Sequence, residues 1–233
     1  MSEGRSQQPI WAHFQREESA YAFEASHPRH AAILSKLRRL ADSAQPRVLN
    51  IGIGDGNFER IVQALGWTIC SLDPDADAVG RLRERGVQAE TGFIDALPFP
   101  DEQFEFVVAS EVLEHLTPEE RRSGLDEIRR TLRPGGYFLG TVPYQEDLKL
   151  NIAVCPKCGH VFHRWGHTTS FDLESLRQEL SPCFVDVSCH CTAFVAFRGR
   201  SATGKLKSLV RLMLARRGAA IAMPNIFFQG RKP

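Results

Sequence analysis

"VLNIGIGDGNFER", residues 48–60, places three glycines within five positions, between an apolar run and an amphipathic one. The apolar run, "RVLNIGI" over 47–53, reads as a buried strand, and "FERIVQALG" over 58–66 reads as a helix closed by Gly66. A strand that turns through Gly52, Gly54 and Gly56 leaves no Cβ where a ligand must approach the backbone. The helix that follows points its N-terminus at that ligand. A nicotinamide fingerprint, G-x-G-x-x-G, would need its third glycine where Asn57 stands. Three glycines can also make an ordinary tight turn, so the loop needs support from elsewhere in the chain.

The surrounding sequence alternates in the same rhythm. Residues 11–45 read as helices interrupted near Pro28. Strands are predicted at 68–73, 87–92, 104–110 and 137–143, with helices at 76–86 and 117–136 between them. Thr117, Pro118 and Glu120 compose a capping box at the start of the second helix. A helix over 171–180 with Asp172 as N-cap, a strand over 183–197, a helix over 204–218 and a strand over 224–233 complete the chain. This order predicts an α/β fold, a parallel sheet with helices on both faces. The second strand ends in Asp73, where an acid accepts hydrogen bonds from ribose hydroxyls. The same residue could instead cap a helix within "DPDAD".

"VLNIGIGDG", "SLDP", "LPFPDEQFEFVVASEVLEHL" and "LRPGGYFLGTVP", in this order and spacing, resemble the class I S-adenosylmethionine-dependent methyltransferases. The likeness is greatest to the small-molecule branch that includes ubiquinone-biosynthesis-type enzymes, and it covers roughly residues 47–143. It implies a Rossmann-like, mostly parallel sheet of seven strands, with "FFQGRKP" as the last, antiparallel one. It implies S-adenosylmethionine as cofactor. Gly52, Gly54 and Gly56 would line the methionine and ribose side, Asp73 would hold the ribose, Phe93 and Ile94 would border the adenine, and Ser110 and Glu111 would lie under the methionine part. Two positions depart from the family pattern. Its acid at the end of the first strand is Asn50 here, and the Asp that commonly faces the adenine amine falls on Phe93, which could stack on the base instead. Residues 1–46 are then an N-terminal helical cap, 47–143 the cofactor-binding core, 144–170 an insert, and 171–233 the remainder of the fold.

Composition narrows the setting. Of 233 residues 42% are apolar, enough for a core. No run approaches the ~18–20 apolar residues of a membrane span, and "MSEGRSQQPIWAHF" has no export pattern. A cytoplasmic location with reduced thiols is expected. From Val187 onward there are nine Lys and Arg and no acid, whereas the preceding chain is net acidic. The basic stretch around 204–217 is expected to pack over the cofactor domain or against a second subunit: its apolar residues spread too widely for a free surface helix, and Arg217 inside the apolar arc segregates it too poorly for a clean membrane-surface helix. Arg198, Arg200 and Lys205 would then steer an anionic acceptor. Nucleic acid is not expected as a partner; a homo-oligomer is compatible with the sequence.

Two places offer chemistry. His115 follows the fourth strand near the strand tips and has the ordinary pKa of a general base, although a structural histidine fits there equally. Tyr144 follows the fifth strand and is placed to touch substrate. Beyond it, "CPKCGHVFHRWGH" over 155–167 packs two cysteines and three histidines. Cys155, Cys158, His163 and His167, with His160 as a spare, supply the N/S set that tetrahedral zinc prefers. Rival readings are a redox C-x-x-C, a free surface loop, and a zinc with an open position for substrate. A zinc here would stiffen a substrate lid otherwise lacking secondary structure. These readings predict a methyltransferase acting on a hydroxyl of a small molecule or glycan, anionic or nucleotide- or lipid-linked. The alternative is a non-catalytic module of the same fold that holds a protein or nucleic acid through the cysteine knuckle and basic tail.

Overall fold

The computed structural model describes residues 8–16, 23, 25–197 and 199–233. Its centre is a seven-stranded sheet in the order β3-β2-β1-β4-β5-β9-β8. The strands are β1 (Arg47–Ile51), β2 (Thr68–Asp73), β3 (Gln88–Thr91), β4 (Phe104–Ser110), β5 (Leu132–Pro143), β8 (Val185–Thr192) and β9 (Asn225–Arg231). The first five run parallel, and β9 inserts antiparallel to both β5 and β8. This is the expected α/β class. Alternation along the strands sends Leu49, Val107 and Phe138 into one apolar layer and Val48, Phe106 and Leu139 into the other. Both faces are covered, as a parallel sheet requires.

The helices are α1 (Gln8–Arg16), α2 (His27–Leu40), α3 (Asn57–Gln63), α4 (Ala76–Glu84), α5 (Pro118–Thr131), α6 (Leu173–Leu180) and α7 (Ala202–Arg216). Pro28 sits in the first turn of α2 rather than between two helices, where its missing N–H costs nothing. The capping box of α5 forms as expected, with Thr117 accepting from the Glu120 amide. That helix ends at Thr131, five residues short of expectation. Pro134 forces Arg133 toward extended backbone, so β5 begins at Leu132.

The insert after β5 is also more ordered than its sequence suggests. A short 3₁₀ turn at Leu148–Asn151 leads into a hairpin of β6 (Ile152–Val154) and β7 (Val161–His163). The "CPKCGH" segment is the loop of that hairpin, closed by the Cys155 amide donating to the His160 carbonyl at 2.8 Å. Backbone hydrogen bonds give this segment its hairpin.

Candidate active site

A cavity of about 1040 Å³ opens at the carboxyl ends of the parallel strands, the place where α/β sheets bind ligands. Its floor is the glycine turn between β1 and α3. Gly52, Gly54 and Gly56 have φ of 86°, 59° and 73°, a left-handed backbone that side chains resist. Asp73, at the tip of β2, is buried on the cavity wall. Its Oδ2 accepts from the Ile53 amide at 2.8 Å and from Gln15 Nε2 at 3.0 Å, and its Oδ1 accepts from the Asp75 amide at 2.8 Å. Burial pushes its pKa up, against those hydrogen bonds. Phe93 and Ile94 line the cavity after β3, and Ser110 and Glu111 line it after β4. The Ser110 hydroxyl pairs with the Thr141 hydroxyl at 3.0 Å, while Glu111 accepts from Asn225 Nδ2 and lies 3.7 Å from Arg29.

Asn50 does not replace the family's acid as a free ligand group. Its Nδ2 donates to Glu59 Oε1 at 2.7 Å and to the Gly52 carbonyl at 3.0 Å. Glu59 is fully buried, accepts also from the Ser71 hydroxyl, and has its pKa pushed up by burial to about 7.

The far side of the cavity is a cluster that the sequence motif only partly disclosed. His115 lies on the 3₁₀ turn Leu113–His115 that follows β4. Its Nδ1–H donates to the Gly166 carbonyl at 3.1 Å, which leaves Nε2 with the lone pair. Burial, then the neighbouring His167, hold its pKa down at about 3, so the ring is neutral. The His115 and His167 rings meet edge to face, 4.7 Å between centroids. His163 Nδ1 accepts the His167 amide at 3.0 Å, so Nε2 keeps its proton and faces Glu146 Oε1 at 3.6 Å. The other Glu146 oxygen takes the Nδ1–H of His167, and Asn151 donates to Oε1 at 3.1 Å. Burial opposes ionisation of Glu146, but the donors outweigh it and hold its pKa below the usual value. His167 is thereby oriented with Nδ1–H toward Glu146, which leaves Nε2 as the ring's acceptor nitrogen.

The four expected zinc ligands are not brought together. Among the described residues, ligating atoms converge within 4.8 Å in two groups, Glu114 with His115 and His167, and Glu146 with His163 and His167; neither contains a cysteine. Cys158 is exposed and Cys155 half-buried at the hairpin loop. The amides of Cys158 and Lys157 and the Cys158 thiol hydrogen-bond Cys155 and hold its pKa down. His160 is exposed and stacks on Phe162. The separation has a simple cause. Pairing of β6 with β7 carries the loop outward, while His163, at the other end of β7, is buried beside Glu146. His163 also uses Nδ1 as an acceptor, the reverse of a metal-ligating histidine, which donates from its second nitrogen. A single Cys₂His₂ site does not fit, and no zinc step is derived.

Tyr144 lines the cavity at the end of β5, against Gly218. Among the wall residues that the sequence does not single out are Trp11 and Gln15 of α1, Trp165 and Glu146. Trp11 meets the His115 ring edge to face at 5.0 Å and donates to the Trp165 carbonyl at 3.4 Å. The aromatic spacing of Trp11 and Phe14 on α1 was the available signal.

The profile of a methyltransferase domain matches residues 25–181. The chain belongs to the methyltransferase-domain family. A fatty-acid O-methyltransferase of Mycolicibacterium smegmatis is 37% identical over 109 residues, 43% of this chain and 38% of that protein. The likeness to the ubiquinone branch is more distant: the ubiquinone/menaquinone biosynthesis C-methyltransferase of Shewanella pealeana is 27% identical over 150 residues, 56% of this chain and 59% of that one. A Haloferax volcanii protein solved in complex with the Trm112 methyltransferase activator shares the fold, with a TM-score of 0.69 at 20% identity over 96% of this chain and 97% of that one. This methyltransferase-domain chain spans about half the length of the curated relatives it matches first. No helix among its described residues is long and apolar enough to cross a membrane.

Proposed function

We propose that this chain methylates a hydroxyl group of a small-molecule or glycan acceptor, one that is anionic or carried on a nucleotide or lipid. The supporting observation is a single cavity that joins the glycine turn and Asp73 to the Glu146–His167 pair. S-adenosylmethionine, when bound, supplies an activated methyl. The residues present suit it: Gly52 and Gly54 line the cavity with left-handed backbone, and Asp73 is a buried carboxylate for ribose hydroxyls; Gly56, expected beside them, is buried and shapes the turn without lining the cavity. The protein's part is to hold the acceptor in line and exclude water.

His167 takes the role given to His115 in the sequence reading. As the acceptor oxygen gains the methyl group and the carbon–sulfur bond breaks, the hydroxyl proton passes to His167 Nε2. Glu146 supports this by accepting the Nδ1–H of the same ring, which fixes the tautomer that leaves Nε2 as the acceptor. His115, held near a pKa of 3, is too weak a base and serves as a wall.

The non-catalytic alternative draws on both departures from the family pattern, Asn50 and Phe93; the Asn50–Glu59 contact accounts for the first within the fold, and the second is left to the cofactor-binding test. Calorimetry with S-adenosylmethionine, followed by S-adenosylhomocysteine release with a panel of hydroxylated acceptors, tests the reading. Absence of cofactor binding would overturn it.

A further inference from the structure

The helix α7 is amphipathic the wrong way round for a packed helix. Leu206, Leu209, Val210 and Met213 are 61%, 41%, 47% and 50% exposed. They stand at i, i+3, i+4 and i+7, one continuous stripe. The opposite side, which carries the small residues Ser208 and Ala215, is buried. Of the two sequence expectations, packing over the cofactor domain or against a second subunit, the first does not hold for this stripe: Ser208, Ala215 and the half-buried Leu214 seat the helix, and Leu206, Leu209, Val210 and Met213 face outward.

Three further observations say what suits that face. First, exposed cations border the stripe on both sides, Lys205 and Arg216 on one and Lys207 and Arg211 on the other, while Arg217, at the C-cap, is exposed in line with the stripe and marks its end. From Val187 to the end of the sequence no acid dilutes them. Arg198, one of the cations expected to steer an acceptor, lies outside the described residues. Second, the apolar surface continues onto the turn that follows. Ile221 and Met223 are 87% and 76% exposed, and Arg211 Nε ties that turn to α7 through the Ala222 carbonyl at 3.1 Å. Third, Met223 and Arg211 also line the cavity, as does the 80%-exposed Leu150. Residues both exposed and cavity-lining stand at its mouth.

We propose that α7, with the turn bearing Ile221 and Met223, docks this protein on the surface of an anionic lipid bilayer, with the mouth of the cavity beside the lipid. A stripe of leucine, valine and methionine flanked by lysine and arginine sinks into the boundary between headgroups and acyl chains, while the cations meet the lipid phosphates. A second copy of the chain is the poorer occupant. It would bring a second cation-bordered stripe against the first, and like charges would face each other. The 15-residue helix lies in the plane of the interface rather than across it. The docking claim stands apart from the methyl-transfer reading; only a lipid-borne acceptor at the mouth rests on that reading.

The test is sedimentation of the full chain with vesicles of phosphatidylcholine, alone or mixed with phosphatidylglycerol. Partition onto the mixed vesicles is expected to exceed that onto phosphatidylcholine by on the order of tenfold, and to fall as salt screens the cations. Leu206→Ser with Met213→Ser, both at exposed positions, is expected to lower partition by on the order of tenfold or more. Lys207→Gln with Arg216→Gln is expected to remove the preference for phosphatidylglycerol alone. An unchanged melting curve confirms that each variant folds, and cofactor calorimetry separates a failure of this proposal from a failure of the methyltransferase reading. Equal partition onto both vesicles, or none, overturns the proposal. So does an oligomer in solution that Leu206→Ser with Met213→Ser converts to monomer without any vesicle binding by the parent.

Discussion

The Asn50 amide donates to Glu59 Oε1 at 2.7 Å, inside a core where Glu59 has no exposed surface. A carboxylate at position 50 would face that buried acid and raise its cost. An amide instead gives Glu59 a donor. The departure from the family pattern on β1 and the buried acid on α3 are hydrogen-bonded partners in this chain.

Glu59 should leave a mark on stability. Its folded pKa is raised from 4.5 to about 7, so the folded state holds the proton longer than the unfolded chain. The sign follows: stability is highest below pH 4.5 and falls as pH rises toward 7, by about 3 kcal/mol at most. Glu59→Gln keeps the shape and removes the titration. Urea unfolding of both forms across that range is expected to show the slope flattened in the variant.

Asp73→Ala removes the carboxylate at the tip of β2. Hydrogen bonds to a charged group contribute roughly 1.5–3 kcal/mol each, so cofactor affinity is expected to fall at least about tenfold. Calorimetry measures it; unchanged affinity would take Asp73 out of the site. The variant also frees the Ile53 and Asp75 amides, so a lower melting temperature is expected alongside.

Glu146→Gln tests the base. Gln can no longer offer two carboxylate oxygens to hold the His167 ring and its tautomer, and the rate of methyl transfer is expected to fall by roughly 10²–10³-fold, with cofactor affinity unchanged. His167→Gln should match it. His115→Gln, by contrast, should change acceptor binding more than the turnover rate. A drop in turnover with His115→Gln alone would return the base to that residue.

The thiols and the histidines should behave as separate groups toward metal. Metal analysis of Cys155→Ser with Cys158→Ser and of His163→Ala with His167→Ala is expected to give independent results, because the pairs lie apart. If either pair abolishes zinc binding at the other, the four do form one site and the hairpin must fold back on itself.

Periodicity and punctuation determined most of the fold. β2 and β4 fall on their expected residues, and the capped start of α5 is placed correctly, because these depend on local pattern and local hydrogen bonds. The glycine turn and Asp73 were legible for the same reason: a short strand-turn-helix unit carries its own signal. The order of four motifs extended this to the family, and so to the sheet in which β9 runs antiparallel.

What the tertiary structure decided depends on which residues meet across long stretches of chain. Gln15 reaches Asp73, Glu146 reaches His167, and Trp11 reaches His115 only once α1 and the insert fold over the strand tips. The spacing of Cys155, Cys158, His163 and His167 permitted one metal site, and the pairing of β6 with β7 separates the two pairs. A helical wheel gives the apolar arc of α7 but not which side of the helix meets the protein. Ser208 and Ala215 take the buried side because small side chains let the helix sit close to the body, and that choice turns Leu206 and Met213 outward.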